Sequence, residues 1–188
     1  MKTGEGARFG RSLVPLIIGA LVGFIAGYFA GGGGRPTAGG PAATDSAGAP
    51  SADRVAELRK ALDRDPENPK LWTTLGNIYY DREEWDRAVE AYEKAQRKAP
   101  NDPNLLSDLG AAHRNRGEFK RAIGLFEKAR AADPDHWQSL LNLVLCEAFD
   151  VRDAAAAERH LRELKRRYPD LPNLDRIEKE IADLRPAG

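Results

Sequence analysis

The residues able to do chemistry in this 188-residue chain are few and scattered. Three histidines, His113, His136 and His160, and a single cysteine, Cys146, are the candidates for metal binding or nucleophilic catalysis. A zinc pair on a helix needs its second ligand at i+4, and none of the three histidines has one. One cysteine cannot build a disulfide framework or a multi-cysteine zinc site. Its setting in an apolar helix predicts a buried thiol. No nucleophile elbow is present, and no glycine loop is followed by Lys and Ser or Thr to cradle a phosphate. Gly31 to Gly34 read as linker. The run Lys165-Arg166-Arg167 stands where cations of a last helical turn complement the helix dipole. The expectation is therefore a protein that is not an enzyme, with no cofactor and no metal.

Charge removes another class. Lys plus Arg and Asp plus Glu each total 29, and residues 53–188 carry 25 basic and 27 acidic side chains. A nucleic-acid partner needs a basic surface, so none is expected. Protein surfaces and membranes remain as partners.

The elements that would present such a surface divide the chain into unlike parts. Residues 1–12 are a short basic segment, with Lys2, Arg8 and Arg11 offset by Glu5. Residues 13–30 hold no charge, and as a helix they would extend about 27 Å, close to the roughly 30 Å of bilayer hydrocarbon. A lone segment in lipid must be helical to satisfy its backbone, and Pro15 is tolerable in the first turn. The flanking positive charge places the N-terminus in the cytoplasm and the bulk of the chain across the membrane, the layout of a bacterial inner-membrane protein with a periplasmic domain. The alternative is a signal peptide cleaved near Ala30-Gly31-Gly32, leaving a secreted domain, though the apolar run exceeds the usual length of about 7 to 15 residues. Gly19, Gly23, Gly27 and Gly31 form one small-residue ridge on this helix. That ridge either packs a second copy into a homodimer or reflects the general use of glycine in membrane helices. Residues 31–52 are Gly, Ala, Pro and Ser, with too little apolar surface to offset ordering, and read as a tether reaching about 25 Å.

From residue 53 a period dominates. Asp65-Pro66, Ala99-Pro100 and Asp133-Pro134 recur every 34 residues. Trp72, Leu75, Gly76 and Tyr79, then Ala88, Tyr92, Ala95 and Pro100, form one set; Leu106, Leu109, Gly110 and His113, then Ala122, Phe126, Ala129 and Pro134, repeat it. Asn68-Pro69 and Asp102-Pro103 each supply an N-cap and a proline at the first helical position. Polar turns at 81–83 and 115–117 reverse the chain between two helices, and Gly76 and Gly110 are small where those helices must pass closely.

These residues at this spacing resemble the tetratricopeptide repeat (TPR) family. The resemblance implies an all-α solenoid of helix-turn-helix units: a half repeat at 53–65, well-matched repeats at 69–102 and 103–136, a degenerate repeat at 137–171, and a capping helix at 172–185 with Leu174, Ile177, Ile181 and Leu184 on one stripe. In the degenerate unit Val144 replaces the glycine, and Ala157, Leu161 and Leu164 fit with one residue inserted near Val151 to Asp153.

Family members bind partner segments in a groove lined by the first helix of each pair. Carried over residue by residue, the contact positions are Lys70, Thr73, Asn77 and Tyr80, then Asn104, Ser107, Ala111 and Arg114, then Gln138, Leu141, Leu145 and Ala148. The clamp that some members use for a chaperone's C-terminal carboxylate matches only at Asn77; Thr73, Asp108, Gln138 and Asn142 replace its other residues. Leu141, Leu145 and Phe149 continue an apolar stripe toward the groove, which is either an exposed docking patch for a partner's hydrophobic anchor or a face covered by a neighbouring helix. The leading expectation is a membrane-tethered adaptor binding an extended or helical protein segment. A self-assembling scaffold, or an accessory subunit of an envelope enzyme complex resembling those of cytochrome c maturation, are the alternatives.

Overall fold

The structure is a computed structural model that describes residues 52–184. The expected membrane segment, its glycine ridge and the tether lie outside the described residues. Among those described, eight α-helices follow one another: α1 Ala52–Arg64, α2 Pro69–Asp81, α3 Trp85–Gln96, α4 Pro103–Asn115, α5 Phe119–Ala132, α6 Trp137–Leu145, α7 Ala154–Arg167 and α8 Leu174–Asp183. The pairs α2/α3, α4/α5 and α6/α7 pack within themselves, and each pair packs on the next. The all-α solenoid is as expected. No described helix is long and apolar enough to cross a membrane.

Local chemistry starts each first helix in the same way. The Asn68 side chain accepts a hydrogen bond from the Lys70 amide at 3.1 Å, and Asp102 Oδ1 accepts from the Asn104 and Leu105 amides at 3.0 and 3.2 Å. His136 stands one period later, and its Nδ1 accepts from the Ser139 amide at 3.3 Å. Each such cap satisfies a donor that the helix leaves unpaired, typically contributing about 1 kcal/mol. The second helices α3 and α5 lack a side-chain cap at Glu84 and Glu118. They begin directly from a tight reversal in which Glu83 and Gly117 adopt left-handed backbone (φ 58° and 77°). The Glu84 and Glu118 amides then donate to Tyr79 and His113 carbonyls at 2.9 Å, closing the preceding helix as a Schellman motif does.

Within each pair the glycine is sterically required. A Cβ on Gly76 would lie 2.5 Å from the Tyr92 ring, and one on Gly110 would lie 2.5 Å from the Phe126 ring. An aromatic side chain on the second helix thus rests against the bare backbone of the first. The degenerate unit keeps this register with other sizes: fully buried Val144 takes the glycine position, and Leu161 takes the aromatic one. A smaller side chain on one helix leaves room for a larger one on its neighbour.

The inserted residue of this unit lies in the helix and not in the turn, correcting the expected site at Val151 to Asp153. α6 continues through a π-helical turn, Cys146–Asp150, before Arg152 takes the left-handed position (φ 61°). Counting from that residue, the turn has the same length as its two predecessors. A wider helical turn preserves both the left-handed reversal and the cap that follows, where Asp153 accepts from the Ala156 amide at 2.9 Å. Lengthening the turn would have sacrificed one of them.

Val55 and Leu62 of α1 join a core built from Leu75, Ile78, Tyr79, Tyr92, Leu105 and Leu109. At the other end α8 buries Leu174, Ile177 and Ile181, while Leu184 is half-buried just past the helix. Cys146 is buried beside Ala122, Phe126 and Leu143, as expected, and burial pushes its thiol up to about 12.

Candidate functional site: the first-helix face

The face presented by α2, α4 and α6 is tied together by side chains spaced about one repeat apart. Asn115 Nδ2 donates to the Tyr80 hydroxyl at 2.9 Å, Asn142 Nδ2 donates to Ser107 Oγ at 3.1 Å, and Arg114 pairs with Asp150. His136 completes the series. Because its Nδ1 accepts from the Ser139 amide, its Nε2 carries the proton and donates to Asn104 Oδ1 at 3.2 Å. Its pKa is lowered by desolvation, which holds this neutral tautomer. Four of the expected contact residues, Tyr80, Asn104, Ser107 and Arg114, therefore link one repeat to the next.

A second group is uncommitted or only partly committed. Lys70 is exposed and Gln138 half-buried, and neither side chain bonds to another described residue. Asn77 is exposed; its Oδ1 accepts from the Tyr92 hydroxyl at 2.8 Å, leaving its amide hydrogens to face outward partners. Thr73 turns its hydroxyl back to the Pro69 carbonyl at 2.9 Å. Asp108, half-buried on α4, makes no hydrogen bond or ion pair with another described residue. Desolvation pushes its carboxyl up to about 7, reinforced by the charge of Asp102.

A third group is closed off. Leu141 is 7 % exposed and Leu145 is 3 % exposed, so of the two expected alternatives, an open docking patch or a covered face, the stripe is covered; Phe149 is half-buried and Ala148 fully buried. An apolar helix is normally covered on every side, and α6 follows that rule. Residues 73, 107 and 141 occupy equivalent positions, as do 77, 111 and 145. Along the array this face thus passes from polar and accessible at Thr73 and Asn77 to apolar and buried at Leu141 and Leu145.

The three histidines stay apart. His113 is buried with Nδ1 2.8 Å from Glu118, and desolvation lowers its pKa despite that carboxylate. His160 contacts buried Glu147 at 2.7 Å. Among the described residues no group of three His, Cys, Asp or Glu is placed to hold a metal ion.

Sequence reasoning missed Asn115, assigned only to a turn, and Asp150. Both recur at the C-terminal ends of first helices, and charge complementarity to Arg114 was the available signal for Asp150.

Paired antiparallel helices, repeating every 34 residues with a glycine under an aromatic ring, define a helical-repeat solenoid. A TPR repeat profile matches residues 76–117 and a tetratricopeptide repeat profile matches residues 107–172. The chain belongs to the tetratricopeptide repeat family. No curated protein sequence matches it. Among solved structures, the Arabidopsis OM64 TPR domain is similar at 20 % identity and TM-score 0.58, covering 62 % of this chain and 96 % of that one. The TPR2B domain of yeast Sti1, in a pHsp70 complex, is 21 % identical with TM-score 0.55, covering 71 % and 100 %. The first TPR of Spaghetti (RPAP3), bound to the HSP90 peptide SRMEEVD, is 16 % identical with TM-score 0.58, covering 62 % and 94 %. At these identities the likeness establishes the fold.

Proposed function

We propose that this protein is a non-catalytic adaptor that holds a segment of a partner protein against the first-helix face, centred on the first two full repeats. The observation that carries this reading is the division of that face. Tyr80, Asn104, Ser107 and Arg114 form a bonded frame, while Lys70, Asn77, Asp108 and Gln138 keep donors, acceptors or charges unused. A frame held by cross-repeat bonds loses little freedom when a ligand arrives, which favours binding. The HSP90 peptide bound to one similar TPR structure and the pHsp70 complex of another support the same use of the fold. Thr73 and Phe149 border the surface; Leu141 and Leu145 support it from within.

Residues 13–30 tether this adaptor to a membrane in our reading, with the N-terminus cytoplasmic, the domain periplasmic and the 31–52 linker giving it reach. The Gly19, Gly23, Gly27 and Gly31 ridge is its surface for a second copy. Retention of the chain in membranes after carbonate washing is the expected result; release would show cleavage instead.

The adaptor reading is tested with a photo-crosslinking residue placed in the full chain. Installed at position 77 or 138 it should yield one discrete adduct in cells, and installed at position 127, exposed on α5, it should not. Equal labelling from all three positions, or none from any, would refute a first-helix site.

A further inference from the structure

We propose that the partner segment carries a lysine or arginine side chain that docks against Asp108, beside Tyr80 and Tyr92; this rests on the first-helix reading above. Asp108 projects from the middle of α4, half-buried and without a hydrogen bond or ion pair to any described residue. A carboxylate partly removed from water and left unpaired is costly, and the usual remedy in a folded chain is an adjacent cation. None is available here. Arg114, the cation of the same helix nearest this face, is held by Asp150, and Lys70 is exposed in the first turn of α2.

The groups near Asp108 deepen the imbalance. Burial raises the pKa of both Tyr80 and Tyr92 and the charge of Asp108 adds to it, while the hydrogen bond from Asn115 and the charge of Arg114 lower that of Tyr80. Asp81 acts on the same two phenols, and its own carboxyl is raised by desolvation with no bonded partner among the described residues. Asp108 and Asp81 therefore act on the same two phenols, and the Tyr92 hydroxyl donates to Asn77 Oδ1 at 2.8 Å. An ammonium or guanidinium group entering there meets the carboxylate oxygens of Asp108, acceptors that make charge-assisted hydrogen bonds to a cation. An acidic segment meets like charge at Asp81 and Asp108, so the same pair provides discrimination as well as attraction.

The test is selection of a randomised dodecapeptide display library on the immobilised full chain, followed by titration of individual peptides. Enriched sequences should carry Lys or Arg, and their affinity should fall at least about tenfold with Asp108→Asn, an isosteric change, while Glu127→Gln on α5 leaves it unaltered. Circular dichroism of each variant checks that the fold is retained. Peptides that lose binding with Asn77→Arg but bind Asp108→Asn as well as the parent, whatever their composition, overturn the cation inference and leave the first-helix site standing. Failure to enrich any peptide sensitive to Asn77→Arg overturns both.

Discussion

The second full repeat and the third solve the same packing problem with opposite materials. In the second, α4 offers bare glycine to the Phe126 ring and keeps a mixed polar face at Asn104, Asp108 and Arg114. In the third, α6 is apolar nearly throughout, carries Val144 where glycine stood, and stretches into a π-helical turn before reversing. The packing of the helix pair survives both, although the third repeat carries one residue more in its π-helical turn. What the difference shows is that the repeat constrains the sum of side-chain volumes across a helix pair and the geometry of the reversal, not the identity of any one residue. It also shows where function can reside: a face cannot be both a buried support and an accessible site, and the third repeat has given its face to burial.

The two first-helix faces differ most at Leu145. Its counterparts Asn77 and Ala111 are exposed and half-buried, whereas Leu145 is 3 % exposed. Leu145→Ser removes a buried side chain and inserts a hydroxyl, so the domain should lose about 3 to 5 kcal/mol in urea unfolding, by analogy with large-to-small core changes. Asn77→Ser should shift stability by no more than about 1 kcal/mol, the range of a single hydrogen bond. Equal small effects would mean that the third repeat presents an open face after all.

The volume rule is sharpened by moving the third repeat's solution into the second. Gly110→Val alone drives a branched side chain into the Phe126 ring and should cost about 2 to 3 kcal/mol. Adding Phe126→Leu, which reproduces the Val144 and Leu161 pairing, should recover part of that loss despite deleting apolar surface. A double variant no more stable than the sum of the single changes would show that the two positions do not compensate.

Asp108 sharpens the contrast between an open and a closed face through pH. Its folded carboxyl is raised to about 7, against 3.8 for a free one. The folded state therefore binds the proton more tightly than the unfolded state, and the ionised form is the destabilised one. The penalty is absent below the unfolded pKa, grows as pH rises between the two values, and is complete above the folded pKa. Asp108→Asn should then raise stability by about 1 to 2 kcal/mol at pH 8, a figure reduced for partial exposure, and by little near pH 4. A gain that does not vary with pH would place the ionisation elsewhere.

How far the sequence revealed this structure depended on the range of each signal. Caps at Asn68 and Asp102, prolines at the first helical position and the glycine-aromatic pairs act within one helix or one hairpin, so their 34-residue recurrence was sufficient to predict the helices. The inserted residue was visible as a count, but whether a turn or a helix absorbs it depends on which element can yield without losing a bond. Tyr80 with Asn115, or Arg114 with Asp150, lie some 35 residues apart. Their pairing needs the stacked geometry of two repeats and a choice of rotamer, neither of which is written in a local pattern. The closure of Leu141 and Leu145 belongs to the same category: an apolar stripe states that it will be covered or used, and only the folded array decides which.

The smallest expected effect concerns the reversal that all three repeats share. Glu83, Gly117 and Arg152 occupy the same left-handed position, with φ of 58°, 77° and 61°, yet only the second repeat uses glycine there. A side chain in this conformation brings its Cβ against the following carbonyl, at a cost of roughly 1 kcal/mol that glycine avoids. Glu83→Gly and Arg152→Gly should each stabilise the domain by about 0.5 to 1 kcal/mol, and Gly117→Ala should destabilise it by a similar amount. The added chain entropy of glycine in the unfolded state opposes the first two changes, which keeps their gain below the full strain. A Cβ added to Gly117 would meet no atom within 4 Å, so crowding does not contribute and the alanine variant reports backbone strain alone. Thermal unfolding of the three variants side by side would distinguish the cases. If Glu83→Gly and Arg152→Gly instead lower the melting temperature, the side chains at those positions stabilise the reversal by more than its strain, and the three turns are not equivalent.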